Sequence, residues 1–462
     1  MRGRTVSMAA LGALWAGRAQ AHASDQGFAL LLPTDIYITA GVACVALTVL
    51  LLIILPERAG AWLFRPVVLP VRRLRVRYWA SCISALLLIG IILFGYSGPR
   101  DPVKNPLPLT VWVVWWIGLV TVQGIVGDLW KWINPLTGPA RVLATITARG
   151  PLWRYPRGLG YAPAIVGIVA FAGFLMADRA PNDPPRLAMV VGLYWTAMLI
   201  GVALFGPRWL VRGEAVTVLM RTYARMAILG RMGSRVAVGF PGWQVLKRGR
   251  ARGLGWAVFI LLLLGCGSFD GLNETFWWFG QLGMNPLEFT GRSSVVAQNL
   301  GGLIAANLGL IIVFVLTTWI GLRLAHSDVS LGHAVQAFAP AVLPIALGYH
   351  IAHYLTSFLV DGQYVLELLS DPLQLGADLL KRGAYSITTG FLHTPDTVRI
   401  IWLSQAGAVV GGHIIAIILA HELALRVFQS RRAAVLSQAP LALFMIGYTL
   451  FGLWLLASPR GV

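Results

Sequence analysis

Five of the eight histidines fall between Pro344 and Glu422, on two apolar segments and the loop between them. The first segment reads PIALGYHIAHYLTSFLVDGQ, with His350 and His353 three residues apart. The second reads IIWLSQAGAVVGGHIIAIILAHE, with His413 and His421 eight apart. Ionisable side chains are costly in a bilayer, so they face a protein interior, a cavity or a partner. On a helix, His350 and His353 share a face. Two neutral imidazoles on one face are a common start for a zinc, iron or copper site, but two ligands are not a site. Histidines bonded to backbone carbonyls inside a bundle are the bland alternative.

A third ligand is expected from His413, which follows the small pair Gly411-Gly412. Small residues let helices approach closely. His421 lies about 12 Å further along the same helix and is left out of a compact site. Carboxylates come from two places: Asp361 in LVDGQ, and Asp270 with Glu274 in GSFDGLNETFWWFG. Asp270 and Asp361 are the candidate catalytic residues, as further metal ligand, as orienting partner of a histidine, or as general base. Glu274 is read as a solvated helix end.

The elements that hold these residues are membrane helices. The chain is 57% hydrophobic and only 12% charged, a composition of integral membrane proteins. Residues 1–21 read as a cleavable secretory signal: Arg2 and Arg4, a short apolar core, then Ala19-Gln20-Ala21. Cleavage there makes His22 the mature N-terminus, a further candidate metal ligand through its amine and ring. Residues 22–462 form a single all-α domain, a polytopic transmembrane bundle. A crossing helix needs about 20 apolar residues. Ten spans are expected, near 36–55, 78–97, 109–126, 159–177, 187–206, 254–272, 300–320, 336–358, 400–424 and 436–457. The cysteines Cys44, Cys82 and Cys266 sit in apolar runs with no CxxC spacing and are read as packing residues.

The formal net charge of +19 divides by face. One set of alternate loops carries 25 basic against 5 acidic residues; the other carries 9 against 13. Basic loops stay in the cytoplasm, which places both mature termini on the outer side of the membrane. The basic excess therefore reports topology and contact with membrane lipids, and no nucleic-acid partner is expected. In the largest basic loop, EAVTVLMRTYARMAILGRMG is expected to lie on the membrane as an amphipathic helix, with docking of a partner as the alternative. Trp112, Trp115 and Trp116 are expected in an interfacial aromatic belt. The segment YVLELLSDPLQLGADLL, after Asp361, is expected as an outer-face lid or interfacial helix.

With these motifs quoted, the chain resembles a family of bacterial integral membrane proteins known as fenitrothion hydrolases. The likeness runs through most of the chain and is most specific in HASDQGFALLLPT, GDLWKWINPLTGP, SFDGLNETFWW, LPIALGYHIAHYLTSFLVDGQ, LLSDPLQLGADLL and GGHIIAIILAHE. The resemblance implies a membrane-bound hydrolase of organophosphorus triesters, which cleaves the phosphorus–oxygen bond to an aryl leaving group. It also implies a second, related membrane subunit. It assigns no catalytic residues.

The residues and the resemblance together point to metal-assisted hydrolysis of an apolar small-molecule substrate at the outer leaflet. His350, His353 and His413 hold a divalent ion in this reading, and the ion lowers the pKa of a bound water to about 7. Two readings compete with it. One is a haem- or copper-binding redox or metal-handling protein, with His350 and His413 as axial ligands or His22 as an entry ligand. The other is a non-catalytic subunit of a membrane complex.

Overall fold

The computed structural model describes residues 32–460, apart from 55, 73–77, 148–149, 248–252, 289–290, 373–374, 382 and 384–386. The expected signal segment and His22 lie outside the described residues. The chain is an all-α polytopic bundle: among the described residues, nine helices are long and apolar enough to cross a membrane.

The helices that matter below are α1 (Thr34–Ile54), α2 (Tyr78–Ser97), α3 (Pro106–Ile125), α4 (Ala162–Ala177), α5 (Pro184–Phe205), α6 (Ala215–Tyr223), α7 (Leu254–Leu272), α8 (Val296–Leu324), α9 (Leu343–Ser370), α10 (Pro395–Val427) and α11 (Arg431–Ala457). The expected span near 159–177 is α4, which has only 16 residues. It falls short of the bilayer thickness, which explains nine long helices where ten spans were expected. Helices α7, α9 and α10 form the buried centre, whereas α1, α2 and α8 turn leucines and isoleucines such as Leu86, Leu87, Leu308 and Ile312 outward. An exposed leucine row on a membrane helix costs nothing against lipid tails.

Helices α9 and α10 pack backbone to backbone at two glycines. A Cβ on Gly412 would stand 2.6 Å from the Pro344 carbonyl oxygen, and one on Gly348 would stand 3.3 Å from the Ala408 carbonyl carbon. The small residue before His413 does bring the two helices together, as its position suggested.

Two readings are corrected. The segment from Glu214 is no interfacial helix: α6 packs inside the bundle, with Thr217, Val218, Leu219, Met220 and Tyr223 all buried. Its entry is fixed by Glu214, which accepts hydrogen bonds from the Val216 and Thr217 amides at 2.8 and 2.7 Å and from the Tyr194 hydroxyl. A buried capping carboxylate satisfies the free amides of a helix start, which lets that end sit away from water. The segments after α1 and after α6 also form a small sheet. Strands β1 (Val67–Arg72), β2 (Leu229–Met232) and β3 (Arg235–Val238) pair antiparallel in the order β1-β3-β2. Finally, Asp361 does not follow its span. Helix α9 continues to Ser370 and α10 starts at Pro395, so Asp361, Leu366 and Leu369 ride on α9, and the supposed lid shrinks to the connection 371–394.

Burial raises the Glu214 carboxyl above its ordinary range, against the hydrogen bonds it accepts. A raised folded-state value means the carboxyl's stability contribution is complete below the unfolded value and declines as pH rises through the folded one. Glu214→Gln is therefore expected to flatten the fall in melting temperature across that upward window. The check is thermal unfolding in detergent over a pH series; an unchanged slope would count against the assignment.

Candidate functional site

A cavity of about 550 Å³ opens at the face away from the basic loops. It is walled by the end of α7, the middle of α9, the start of α10 and the residues that follow α11. Both candidate catalytic carboxylates, Asp270 and Asp361, line it, together with His353.

The floor is a three-residue polar cluster. His353 Nε2 stands 3.2 Å from Asp270 Oδ2, with the two side chains only 7% and 11% exposed. The Tyr354 hydroxyl donates to the same carboxylate oxygen. Asp270 sits in the last turn of α7, and His353 and Tyr354 are consecutive on α9, so the cluster ties the two central helices together. Rings close around it: Tyr349 stacks on His353 with centroids 5.8 Å apart, and Tyr354 meets His353 edge-on at 4.6 Å. Close approach at this level depends on Gly271, where a Cβ would collide with the Tyr349 hydroxyl. Below the cluster lies a pocket of about 40 Å³, walled by His350, Tyr223 and Cys266 and sharing Asp270, His353 and Tyr354 with the larger cavity.

Helix α3 supplies the adjoining wall. Its stretch Leu109–Leu119 is wound as a π-helix, and Asn105 fixes the helix start by accepting from the Leu107 amide at 3.0 Å. Short π-helical insertions recur at functional sites; this one runs for eleven residues. It turns the tryptophans inward, correcting the aromatic-belt reading. Trp116 meets His350 edge-on at 5.0 Å and Tyr354 at 6.0 Å, and Trp112 and Trp116 both line the cavity.

The expected ligands of a zinc, iron or copper ion do not converge. Among the described residues, no three His, Cys, Asp or Glu side chains are grouped so as to hold a metal ion. His353 faces Asp270, and His350 faces Trp116, Tyr354 and Tyr223. His413 belongs elsewhere: its Nδ1 lies 2.9 Å from the Val409 carbonyl of its own helix, and its ring looks toward Tyr448 on α11. The reason is helical rotation. Gly412 faces α9, and the next residue points about 100° further round. His421 is separate again, held at 2.8 Å by Gln438. Among the described residues, the donors in hand do not fit the metal centre expected from the sequence.

Four residues of the site escaped the sequence reading: Tyr354, Trp116, Arg292 and Arg460. Tyr354 stands beside His353 in AHYL and four residues after His350, which was a usable signal. Arg460 joins only in three dimensions. The Phe276 amide donates to the Pro459 carbonyl at 2.9 Å, Thr275 and Arg460 form a β-bridge, and Arg460 lies 3.8 Å from Glu274. This straps residues 458–460 along one side of the cavity.

No protein-family model matches the chain, and neither the curated proteins nor the solved structures provide a match.

The phenol of Tyr354 can be tested apart from catalysis. A hydrogen bond to a charged group is worth about 1.5–3 kcal/mol. Tyr354→Phe is expected to lower unfolding free energy by that order, read as a lower melting temperature in detergent. No change would mean that Asp270 is held without it.

Proposed function

We propose that the chain is a membrane-embedded hydrolase of organophosphorus triesters, acting on the phosphorus–oxygen bond to an aryl group at the periplasmic side of a bacterial inner membrane. The observation that carries this reading is the Asp270–His353–Tyr354 cluster on the floor of a cavity. A buried carboxylate–imidazole pair within reach of a cavity is a general base with its orienting partner. The pair takes the proton of an attacking water, the water oxygen bonds to phosphorus, and the aryl oxide leaves. Arg292, on the cavity wall, faces the charge that grows on the phosphoryl oxygen. An apolar triester dissolves in lipid, which suits a site built among membrane helices. The sequence resemblance to fenitrothion hydrolases supports the same substrate class.

The test uses the full chain in lipid nanodiscs with a dialkyl nitrophenyl phosphate, following nitrophenolate release. Turnover that persists in chelator supports the base built by Asp270 and His353. Loss on chelation, with recovery on adding zinc, iron or copper, would return the reaction to a metal centre. Absence of turnover alone, with turnover on adding a related membrane protein, would make this chain one subunit of the enzyme.

A further inference from the structure

Below the Asp270–His353–Tyr354 cluster, the inner pocket of about 40 Å³ is walled by groups that the hydrolysis does not use: Tyr349, His350, Tyr223 and Cys266. Three buried polar atoms of its walls have no hydrogen-bond partner among the described residues: Tyr349 Oη, His350 Nε2 and His353 Nδ1. Tyr349 and His350 are only 4% and 6% exposed, and the His353 side chain 7%. Polar groups left unsatisfied inside a bundle are expensive, so three around one small pocket call for a common partner.

Their placement says where that partner sits. His353 turns Nε2 to Asp270 at 3.2 Å, which leaves Nδ1 for the interior. A Cβ on Gly271 would collide with Tyr349 Oη and stand 3.6 Å from His353 Nδ1, so both atoms flank one spot beside α7. His350 lies one turn deeper on α9. Helix α6 ends there at Tyr223, with ring centroids 6.5 Å apart, and the C-terminal end of a helix favours a positive charge. The Cys266 thiol is engaged with Asn307. Much of the remaining wall is apolar, with Ile168, Leu263 and Ala346.

Size selects the partner. A buried water needs about 10–15 Å³ and two to four polar partners, so this pocket suits about two or three waters. We propose that the inner pocket is a water site that relays protons between His353 and His350. Tyr349 Oη holds the water. The water oxygen accepts a proton from His353 Nδ1 while another of its protons passes to His350 Nε2. One N–H bond breaks, one forms, and the water is restored. The relay does not depend on what the outer cavity hydrolyses.

The experiment is solid-state NMR of the full chain in lipid nanodiscs with isotope-labelled histidine, reading exchange of ring N–H protons with water. His350 is the diagnostic ring, because it does not line the outer cavity. Its ring proton is expected to exchange, and that of His413, which lines neither cavity, to stay protected. Gly267→Val is expected to abolish exchange at His350. Gly267 walls the pocket, and within 4 Å its Cβ would meet only Tyr349 Cδ1, at 3.6 Å, an ordinary contact. Tyr349→Phe distinguishes a water-held hydroxyl from an idle one. Losing a bonded hydroxyl lowers the melting temperature, whereas losing an unsatisfied one raises it; a fall is expected. Protection at His350 equal to that at His413, exchange unchanged in a folded Gly267→Val protein, or a rise in melting temperature for Tyr349→Phe overturns the proposal. Nitrophenyl phosphotriester turnover is scored separately. Failure of the relay leaves the hydrolase reading standing, and absence of turnover leaves the relay standing.

Discussion

Replacing Asp270 by asparagine is expected to cut nitrophenyl phosphotriester turnover by about 10²–10⁴-fold, the usual contribution of a positioned acid–base group. Asparagine keeps the shape of the side chain and removes its charge. The amide can neither orient His353 as a carboxylate does nor help it hold a proton. His353→Gln is expected to lose as much, because the two groups stand 3.2 Å apart and act as one unit. The double variant should then be no slower than either single one, since residues acting as a unit are strongly non-additive. Removing one partner of a buried hydrogen-bonded pair also costs about 1–3 kcal/mol of stability, because the other group is left unsatisfied. Rates are therefore compared below the melting temperature of each variant, with a pH–rate profile as the second readout. A folded Asp270→Asn protein with ordinary turnover and an unchanged profile would remove the cluster from the mechanism.

The second large effect concerns packing. Gly412→Ala is expected to destabilise the bundle by about 1–3 kcal/mol, and Gly412→Leu by more, because overpacking forces backbone to move. The obstacle is backbone and cannot swing aside: the new Cβ stands 2.6 Å from the Pro344 carbonyl oxygen and 3.4 Å from Ile345 Cα. Its neighbour provides the control. Nothing lies within 4 Å of a Cβ on Gly411, so Gly411→Ala is expected to hold or gain stability, since alanine favours a helix over glycine by about 1 kcal/mol. Turnover should fall with Gly412→Ala as well, because a shift of α9 carries His353 away from Asp270. Equal melting temperatures for the two alanine variants would show that α9 and α10 are not locked at this contact.

The amino-acid sequence by itself determined that this is a bundle of membrane helices, and nearly where each begins. Hydropathy adds up locally, residue by residue, so a run such as Thr34–Ile54 is legible without its neighbours. It also picked out Asp270 and Asp361 as candidate catalytic residues and His353 as a candidate metal ligand, because ionisable groups in apolar runs stand out wherever they are; in the structure these three line one cavity.

The tertiary structure decided which groups meet. His353 reaches Asp270, whereas His413, one residue beyond the close contact at Gly412, is turned to Tyr448. That outcome depends on how each helix is rotated about its axis, which spacing along one chain segment does not reveal. The same holds for Trp116, whose inward turn comes with the π-helical winding of Leu109–Leu119, and for α6, whose arginine-spaced pattern suggested a surface helix although a buried Glu214 cap let it enter the bundle. Arg292 and Arg460 joined the cavity from segments distant in the chain. Such convergence is a property of packed elements, fixed by steric fit and backbone contacts across hundreds of residues, and no local pattern encodes it.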